Sequence, residues 1–306
     1  MSCKRRPRGI QQDYTYILRA ELQSAITELR KGDPDSLERA LALLQQTAFS
    51  FSMKVCGHRE DAEDTAQETL IRTVPELGHF ESPEALAVWL YKVARSRCLL
   101  SRRRSKFAPK PNLSLDDLLP DRNELEALTT SGDGGPEQQL LRAEDREELQ
   151  RAVLKVPPDY RMVLVLHDME ELSTPEVAKI TGLKEGTVRV RLHRARVFLR
   201  NQLARKTSHP LTRAKEQRPP IVCKELFAAL SDYIDQELDP SVCEELQAHL
   251  GDCSPCQAYL ASLEETVRRC KRHCTEEVKA KIRAQIRELL RTSSAGIVTS
   301  RVPAGH

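Results

Sequence analysis

The sequence predicts an all-α protein built from several small helical modules. Its 306 residues exceed one typical domain, since domains usually contain about 100 to 200 residues. Aromatic residues make up only 4% of the chain and charged residues 30%, which is typical of helical proteins rather than of β-sandwiches or barrels. Apolar residues also recur every three or four positions through most of the sequence.

Breaks in this periodicity divide the chain into modules. Pro, Gly, Ser and Asp interrupt the pattern after residue 106, and shorter breaks containing proline follow residue 206. We therefore predict a first helical module at 15–106, a linker at 107–136, a second module at 137–206, a linker at 207–222, a third module at 223–291 and a tail at 292–306.

Two basic stretches stand out from a nearly neutral chain of net charge +3. Residues 92–110 carry eight basic side chains and no acid, and residues 184–206 carry eight basic side chains with Glu185 as the only acid. Each stretch alone could be a solvated helix face. Two basic surfaces on modules joined by a linker favour a protein that touches one long polyanion at two places.

Several classes of protein are excluded by missing patterns. No apolar run approaches the roughly 18 residues of a membrane helix, and no apolar stretch follows the basic N-terminus. We therefore expect a cytoplasmic protein with no membrane partner. Phosphate-binding loops, nucleophile elbows and dinucleotide fingerprints are also missing from the sequence, so we do not expect an enzyme.

Residues 172–203 have the layout of a helix-turn-helix. Ser173 or Thr174 can cap the first helix, Gly182 can adopt the left-handed turn, and the second helix should begin near Glu185. A purely structural helical hairpin is the alternative, but the turn glycine and the density of arginines favour DNA binding. The residues expected to face base edges and phosphates are Lys184, Glu185, Thr187, Arg189, Arg191 and Arg194, because the buried stripe should contain Val188, Leu192, Ala195 and Leu199.

The third module contains a set of residues with the spacing of zinc ligands. The pattern is C-x25-H-x3-C-x2-C, formed by Cys223, His249, Cys253 and Cys256. His249 and Cys253 are one helical turn apart, and two thiolates in C-x2-C can bind the same ion, so we predict one tetrahedral zinc. Buried free thiols are the alternative.

Three other cysteines need separate treatment. Cys243 precedes His249 by six residues, about 240° around a helix, so it should point elsewhere and leave Cys223 as the fourth ligand. Cys270 and Cys274 are also one turn apart. They could form a second, labile metal or redox point, although an ordinary solvated helix explains them more simply.

These motifs resemble a family of transcription proteins. The block TGLKEGTVRVRLHRAR, with PPDYRMVLVLHDMEE before it, is similar to region 4 of bacterial RNA polymerase sigma factors of the extracytoplasmic-function group. GDPDSLERALALLQQ, REDAEDTAQETLIR and ALAVWLYKVARSRCLLSRRR are similar to region 2, in the family's order. The third module resembles the zinc-binding anti-sigma domain, which is usually a separate protein that holds a sigma factor inactive.

The resemblance implies roles for particular residues. In the family, an acidic helix of region 2 binds core RNA polymerase, which corresponds here to Asp61, Asp64, Gln67 and Glu68. The following helix contacts the −10 promoter element, which assigns DNA binding to Lys92, Arg95, Arg102, Arg103 and Arg104. Ser96 and Ser101 stand where the family usually has Asn and Asp. The family's sequence preference at the −10 element is therefore the implied property that applies least to this chain.

We therefore predict a sigma factor that binds core polymerase and promoter DNA, with a fused zinc module that can contact the other two modules within the same chain. One alternative is an autonomous helix-turn-helix repressor or activator in which residues 1–106 act as a sensor. Another is an anti-sigma-like interaction protein whose helix-turn-helix no longer binds DNA. The acidic stretch DAEDTAQE favours the sigma factor, because an autonomous repressor needs no polymerase site.

Overall fold

The computed structural model describes residues 22–31, 33–80, 82–102, 113–120, 141–204 and 226–272, and all of them belong to one compact unit. Within these ranges the secondary structure is helical and no strand occurs, so the predicted all-α class is confirmed. None of the described helices is long and apolar enough to span a membrane.

The described part of the first module contains four helices. They are α1 (22–29), α2 (Pro34–Cys56), α3 (Arg59–Thr73) and α4 (Pro83–Arg102), with a 3-10 turn at Val74–His79. Asp33 caps α2 by accepting a hydrogen bond from the Ser36 N–H at 2.8 Å. Helix α2 packs against α3 and α4, and its Phe51 meets Tyr91 of α4 edge-on, with ring centroids 5.0 Å apart.

The end of α2 depends on a glycine. Gly57 has φ +79°, the left-handed conformation that glycine adopts without strain. A Cβ at this position would lie 2.6 Å from Cδ2 of Leu154, so the second module packs closely against the turn. A larger residue at position 57 would be strained at this φ and would force the Leu154 side chain to move.

The second module holds the helix-turn-helix. Its helices are α6 (Leu141–Lys155), α7 (Pro158–Leu164), which continues into a π-helical turn at Val165–Met169, α8 (Thr174–Thr181) and α9 (Glu185–Ala204). Helix α9 crosses α6, α7 and α8 and forms the axis of the module. Its predicted stripe is buried, with exposures of 0 to 2% for Val188, Leu192, Ala195 and Leu199.

The third module packs on α9. It contains α10 (Leu230–Asp235), α11 (Pro240–Asp252) and α12 (Ser254–Arg272). Within the predicted first linker, Leu115–Leu118 form a short helix, α5. One apolar core joins α5, α9 and the third module, and its buried members are Leu118, Val197, Phe227, Leu230, Leu246, Leu250, Tyr259 and Leu263.

Candidate nucleic-acid interface and metal centre

The helix-turn-helix has the predicted local geometry. Ser173 is the N-cap of α8, and its backbone N–H donates to the Glu176 carboxylate at 2.8 Å in a capping box. Gly182 adopts the left-handed conformation with φ +71°, and α9 begins at Glu185. The turn predictions at Ser173 and Gly182 are confirmed, and they set the angle at which α9 is presented.

The first half of α9 displays the side chains expected to meet DNA. Six side chains were predicted to face DNA. Lys184, Glu185 and Thr187 are exposed, and Arg189, Arg191 and Arg194 are half-buried. They share one end of the helix, with polar side chains suited to base edges and phosphates. The end of α9 that is expected to meet DNA is therefore exposed at three positions and partly covered at its three arginines.

Arg189 is covered by an acid from the third module. Its Nε donates to a Glu237 carboxylate oxygen at 2.9 Å, while the Glu185 carboxylate of the same helix lies 3.8 Å from its Nη2. Thr174, at the start of α8, donates its hydroxyl to the same Glu237 oxygen at 3.3 Å. The hydrogen bond from Glu237 raises the pKa of Arg189. Glu237 therefore binds both helices of the helix-turn-helix.

The second half of α9 contains a buried ion network. Arg196 is fully buried and binds Asp168 of the π-helical turn at 2.6 Å and Asp235 of α10 at 2.7 Å. Burial alone would raise the pKa of Asp168, but the charge and hydrogen bonds of Arg196 hold this pKa well below its usual range. One arginine thus joins the second and third modules.

This network corrects one sequence prediction. Residues 184–206 were expected to form a basic surface, but Arg196 is buried in ion pairs and Arg200 is only 5% exposed. The guanidinium of Arg200 lies 4.4 Å from the ring centroid of Tyr259 in α12, a cation–π contact. The third module shields these two arginines from solvent, so among the described residues 184–204 the accessible basic side chains lie in the first half of α9.

His193 is another contact between α9 and the third module. Its Nδ1 lies 2.9 Å from the Ser231 hydroxyl, and its ring meets Phe227 edge-on with centroids 5.5 Å apart. Burial lowers the pKa of His193 to about 4, and repulsion from Arg196 and Arg194 adds to this effect. The imidazole is therefore neutral at physiological pH.

The basic helix of the first module is described only in part. Lys92 is exposed and Arg95 is half-buried. Burial lowers the pKa of Arg95, Asp159 opposes this effect, and the charge of Arg191 lowers the pKa further. Helix α4, which carries Arg95, packs against α8 of the helix-turn-helix, so helices expected at two different promoter elements lie side by side. The remaining predictions concern the Arg102 side chain, Arg103 and Arg104, which lie outside the described residues.

The predicted polymerase-binding residues share α3. Asp61, Asp64 and Gln67 are exposed. Glu68 is half-buried because its Oε1 accepts a hydrogen bond from Arg72 at 3.0 Å and another from Arg97 of α4. Three of the four predicted residues are therefore accessible on α3, and the fourth, Glu68, forms an ion pair with α4.

The first two modules meet at a buried carboxylate that sequence reasoning missed. Glu170 follows the π-helical turn, and its side chain, 2% exposed, binds Lys54 at 2.7 Å and the Tyr91 hydroxyl at 2.7 Å. Nearby, Arg161 donates to the backbone oxygen of Val55 at 2.8 Å. These contacts hold the two basic helices on one compact body.

The third module brings three of the four predicted metal ligands together. One ligand atom from each of His249, Cys253 and Cys256 lies within 4.8 Å of the other two. His249 Nε2 is 3.3 Å from Cys256 Sγ, close to the roughly 3.5 Å between nitrogen and sulfur ligands of a tetrahedral zinc. This donor set fits zinc. Cys223, the predicted fourth ligand, lies outside the described residues.

The other cysteines lie apart from this group. Cys243 is buried, and it does not join the three ligands. Cys270 is fully buried, so the predicted solvated helix face is wrong at this position. Cys274 lies outside the described residues.

Sequence reasoning did not identify the acids that neutralise α9. Asp168, Asp235 and Glu237 are unremarkable in the sequence, because nothing local marks an acidic residue as the partner of a distant arginine. One signal was present for Arg196, which stands four residues after the buried Leu192 and next to Ala195. An arginine that is fully buried is nearly always paired, so burial at this position calls for acidic partners.

Comparison with known proteins matches all three modules. Residues 41–107 match Sigma-70 region 2, residues 146–199 match Sigma-70 region 4 and residues 223–257 match a zinc-finger family. The ECF RNA polymerase sigma factor SigW of Bacillus subtilis is 30% identical over 184 residues, covering 60% of this chain and 96% of that protein. RNA polymerase sigma factor YlaC of the same organism is 29% identical over 171 residues, covering 56% and 94% respectively.

A chain from the complex of sigma factor RpoE with anti-sigma factor NepR of Bartonella quintana has a TM-score of 0.38 and 21% identity, covering 55% of this chain and 96% of that chain. The family matches and the near-complete coverage of SigW disfavour the autonomous regulator. They account for the acidic helix, the basic helices and the helix-turn-helix together. The chain therefore belongs to the extracytoplasmic-function family of RNA polymerase sigma factors and directs promoter recognition and transcription initiation.

Proposed function

We propose that this sigma factor is held in a closed state by its own third module. In this proposal the first module, 15–106, binds core polymerase in the cytoplasm and the −10 element, and the second, 137–206, binds the −35 element. The third module, 223–291, is the regulator. The observation that carries the proposal is the hydrogen bond between Glu237 and Arg189, because it neutralises an arginine of the reading helix.

The buried contacts behind Glu237 make this masking more than a surface ion pair. An isolated exposed pair is worth roughly 0 to 1 kcal/mol, too little to hold a module in place. Asp235 reaches the buried Arg196, and Phe227 and Tyr259 pack against His193 and Arg200. Tethering adds to these contacts, since an intramolecular partner has an effective concentration that can reach the millimolar range.

The position of the first module also supports a closed state. Lys54 and Tyr91 bind Glu170 of the second module, and α4 packs against α8. A sigma factor that engages two promoter elements needs its two DNA-binding modules apart. Opening must therefore break the Glu170 contacts as well as those of the third module.

Charge reversal at Glu237 tests the masking. Glu237→Lys would place a cation against Arg189, so we expect about fivefold more transcription with core polymerase, the equivalent of roughly 1 kcal/mol. Glu245→Lys is the matched control, because Glu245 is exposed on the same module. Equal transcription by wild type and both variants would show that the third module does not mask the reading helix.

For core polymerase, the proposed contacts are Asp61, Asp64, Gln67 and Glu68. Asp64→Lys should abolish co-purification with core polymerase, because it introduces repulsion from a basic partner surface. Glu60→Lys on the same exposed helix is the control. Asp64 is a cleaner test than Glu68, whose carboxylate also binds Arg97. Unchanged co-purification of Asp64→Lys would remove α3 from the interface.

We further propose that the third module holds one structural zinc through Cys223, His249, Cys253 and Cys256. Bound zinc would tie the end of α11 to the start of α12, where His249, Cys253 and Cys256 meet. Metal analysis of the purified protein should give one zinc per chain, and Cys256→Ser should lose it. A metal-free wild-type protein that retains its thermal stability would contradict this assignment.

A further inference from the structure

The segment 113–120, within the linker between the first two modules, lies on the third module. Leu118 is 7% exposed and packs in the apolar core that contains Phe227, Leu246 and Tyr259. Leu113, Leu115 and Leu119 are partly buried against the same core. Apart from Leu118 itself, only Val197 among the buried members of this core comes from outside the third module. The third module therefore supplies most of the surface on which the linker lies.

Polar contacts fix the segment to the second module. Asn201 of α9 donates its side-chain amide to the backbone oxygen of Leu118 at 3.2 Å. At the other end, the backbone N–H of Leu113 donates to the Tyr160 hydroxyl at 3.3 Å. The linker is thus held by hydrogen bonds to one module and by apolar packing to another.

The seat of the linker adjoins the candidate metal centre. Leu119 and Pro120 form one side of a small cavity whose other walls include His249, Cys256, Leu250 and Phe227. Two candidate metal ligands and the segment 113–120 therefore line the same apolar cavity. The way in which the chain folds around His249 and Cys256 shapes the surface on which this segment lies.

Chain length shows why this seat matters. The −10 and −35 elements are about 25 base pairs apart, which is about 85 Å at 3.4 Å per base pair. Modules with radii of gyration of about 13 Å have outer radii of about 17 Å, which would still leave about 50 Å between their facing surfaces. With 113–120 seated, only the ten residues 103–112 connect α4 to the segment, and these span at most about 36 Å. A seated linker is too short for both elements.

We infer that the third module is a clamp on the linker, and that release of residues 113–120 is required before the first two modules can engage both promoter elements. This inference rests on the proposed closed state. It adds a second means of control, because the clamp limits how far apart the modules can move, whereas Glu237 covers an arginine that reads DNA.

Leu118→Asp in the full-length protein is the test, with Leu118→Met as the volume-conserving control. Loss of the buried leucine should speed hydrogen–deuterium exchange of amides 113–120 by about tenfold or more, measured by mass spectrometry. Transcription from a promoter with both elements should rise severalfold, and Leu118→Met should behave as wild type. Faster exchange without increased transcription would overturn the clamp.

Asn201→Ala keeps the test available if Leu118→Asp does not fold. It removes the hydrogen bond to the Leu118 backbone and one that Asn201 accepts from Arg200, while every apolar side chain of the core stays in place, and it should speed the same exchange about fivefold. Unchanged exchange in Asn201→Ala would then overturn the clamp. If Glu237→Lys increases transcription and Leu118→Asp does not, masking by the third module stands and the clamp is refuted. If Leu118→Asp increases transcription and Glu237→Lys does not, only masking is refuted.

Discussion

The two halves of α9 use the same residue type for opposite purposes. In the first half, Arg189, Arg191 and Arg194 are partly accessible, and the acid that binds Arg189 belongs to a separate module. In the second half, Arg196 is fully buried between Asp168 and Asp235. Arginine density alone does not distinguish a DNA-reading surface from a packing surface. The distinction depends on whether the acidic partner is buried with the arginine.

The largest expected effect comes from breaking the buried half. Arg196→Met would leave Asp168 and Asp235 buried without their cation, so the free energy of unfolding should fall by about 3 to 5 kcal/mol. Arg194→Met, on the half-buried side of the same helix, should change stability by only about 0.5 kcal/mol. Urea denaturation of both variants measures the contrast, and equal losses would contradict the division of α9.

Substitutions in the first half of α9 should change promoter choice and leave the free energy of unfolding nearly unchanged. Arg191→Ala and Thr187→Ala should each weaken or alter recognition of the −35 element by about 1 to 3 kcal/mol of discrimination, if each contributes a base contact. The measurement is transcription by the polymerase-bound protein across −35 variants, alongside thermal melting. Normal promoter choice in both variants would remove these two residues from the reading surface.

A smaller effect should appear with pH at the boundary between the halves. Unfolded His193 binds a proton near pH 6.5, whereas in the fold its pKa is about 4. The unfolded chain therefore binds more protons between these values, and stability falls as pH drops through this window. At pH 5.5 the loss from His193 is about 1.4 kcal/mol, and none is expected above pH 7.5.

His193→Gln separates this effect from other titrating groups. The variant should lose less stability than wild type between pH 7.5 and pH 5.5, measured by urea denaturation at each pH. Arg194 and Arg196 of α9 remain in place, as does Asp235 of the facing helix α10, so their contributions cancel in the comparison. Parallel pH profiles for the two proteins would show that His193 is not protonated differently on folding.

The smallest expected effect concerns phosphate binding at the start of α9. Lys184 is exposed just before the start of α9, where an ammonium group can bind phosphate as a point charge, so Lys184→Ala should weaken promoter binding about equally for all sequences. The slope of log affinity against log salt should decrease by about 1. Lys155→Ala, an exposed lysine at the end of α6, is the control. A change in sequence preference would make Lys184 a reading residue.

The sequence by itself determined the local features of this protein. Ser173, Gly182 and the start of α9 followed from capping and turn chemistry, and the stripe from Val188 to Leu199 followed from helical periodicity. The spacing of His249, Cys253 and Cys256 was enough to predict that they meet. Each of these features depends on residues a few positions apart, whose relative placement is set by the helix or turn that contains them.

Only the tertiary structure decided which arginines form ion pairs with acidic residues of another module. Glu237 meets Arg189 from 48 positions away, and Asp235 meets Arg196 from 39 positions away. The seat for Leu118 likewise requires a module that begins more than a hundred residues later. Such pairings depend on how whole helices pack. From the sequence alone, many acidic residues in the chain could be the partner of a given arginine. The fold selects among them because burying a charge is costly unless its partner is buried with it.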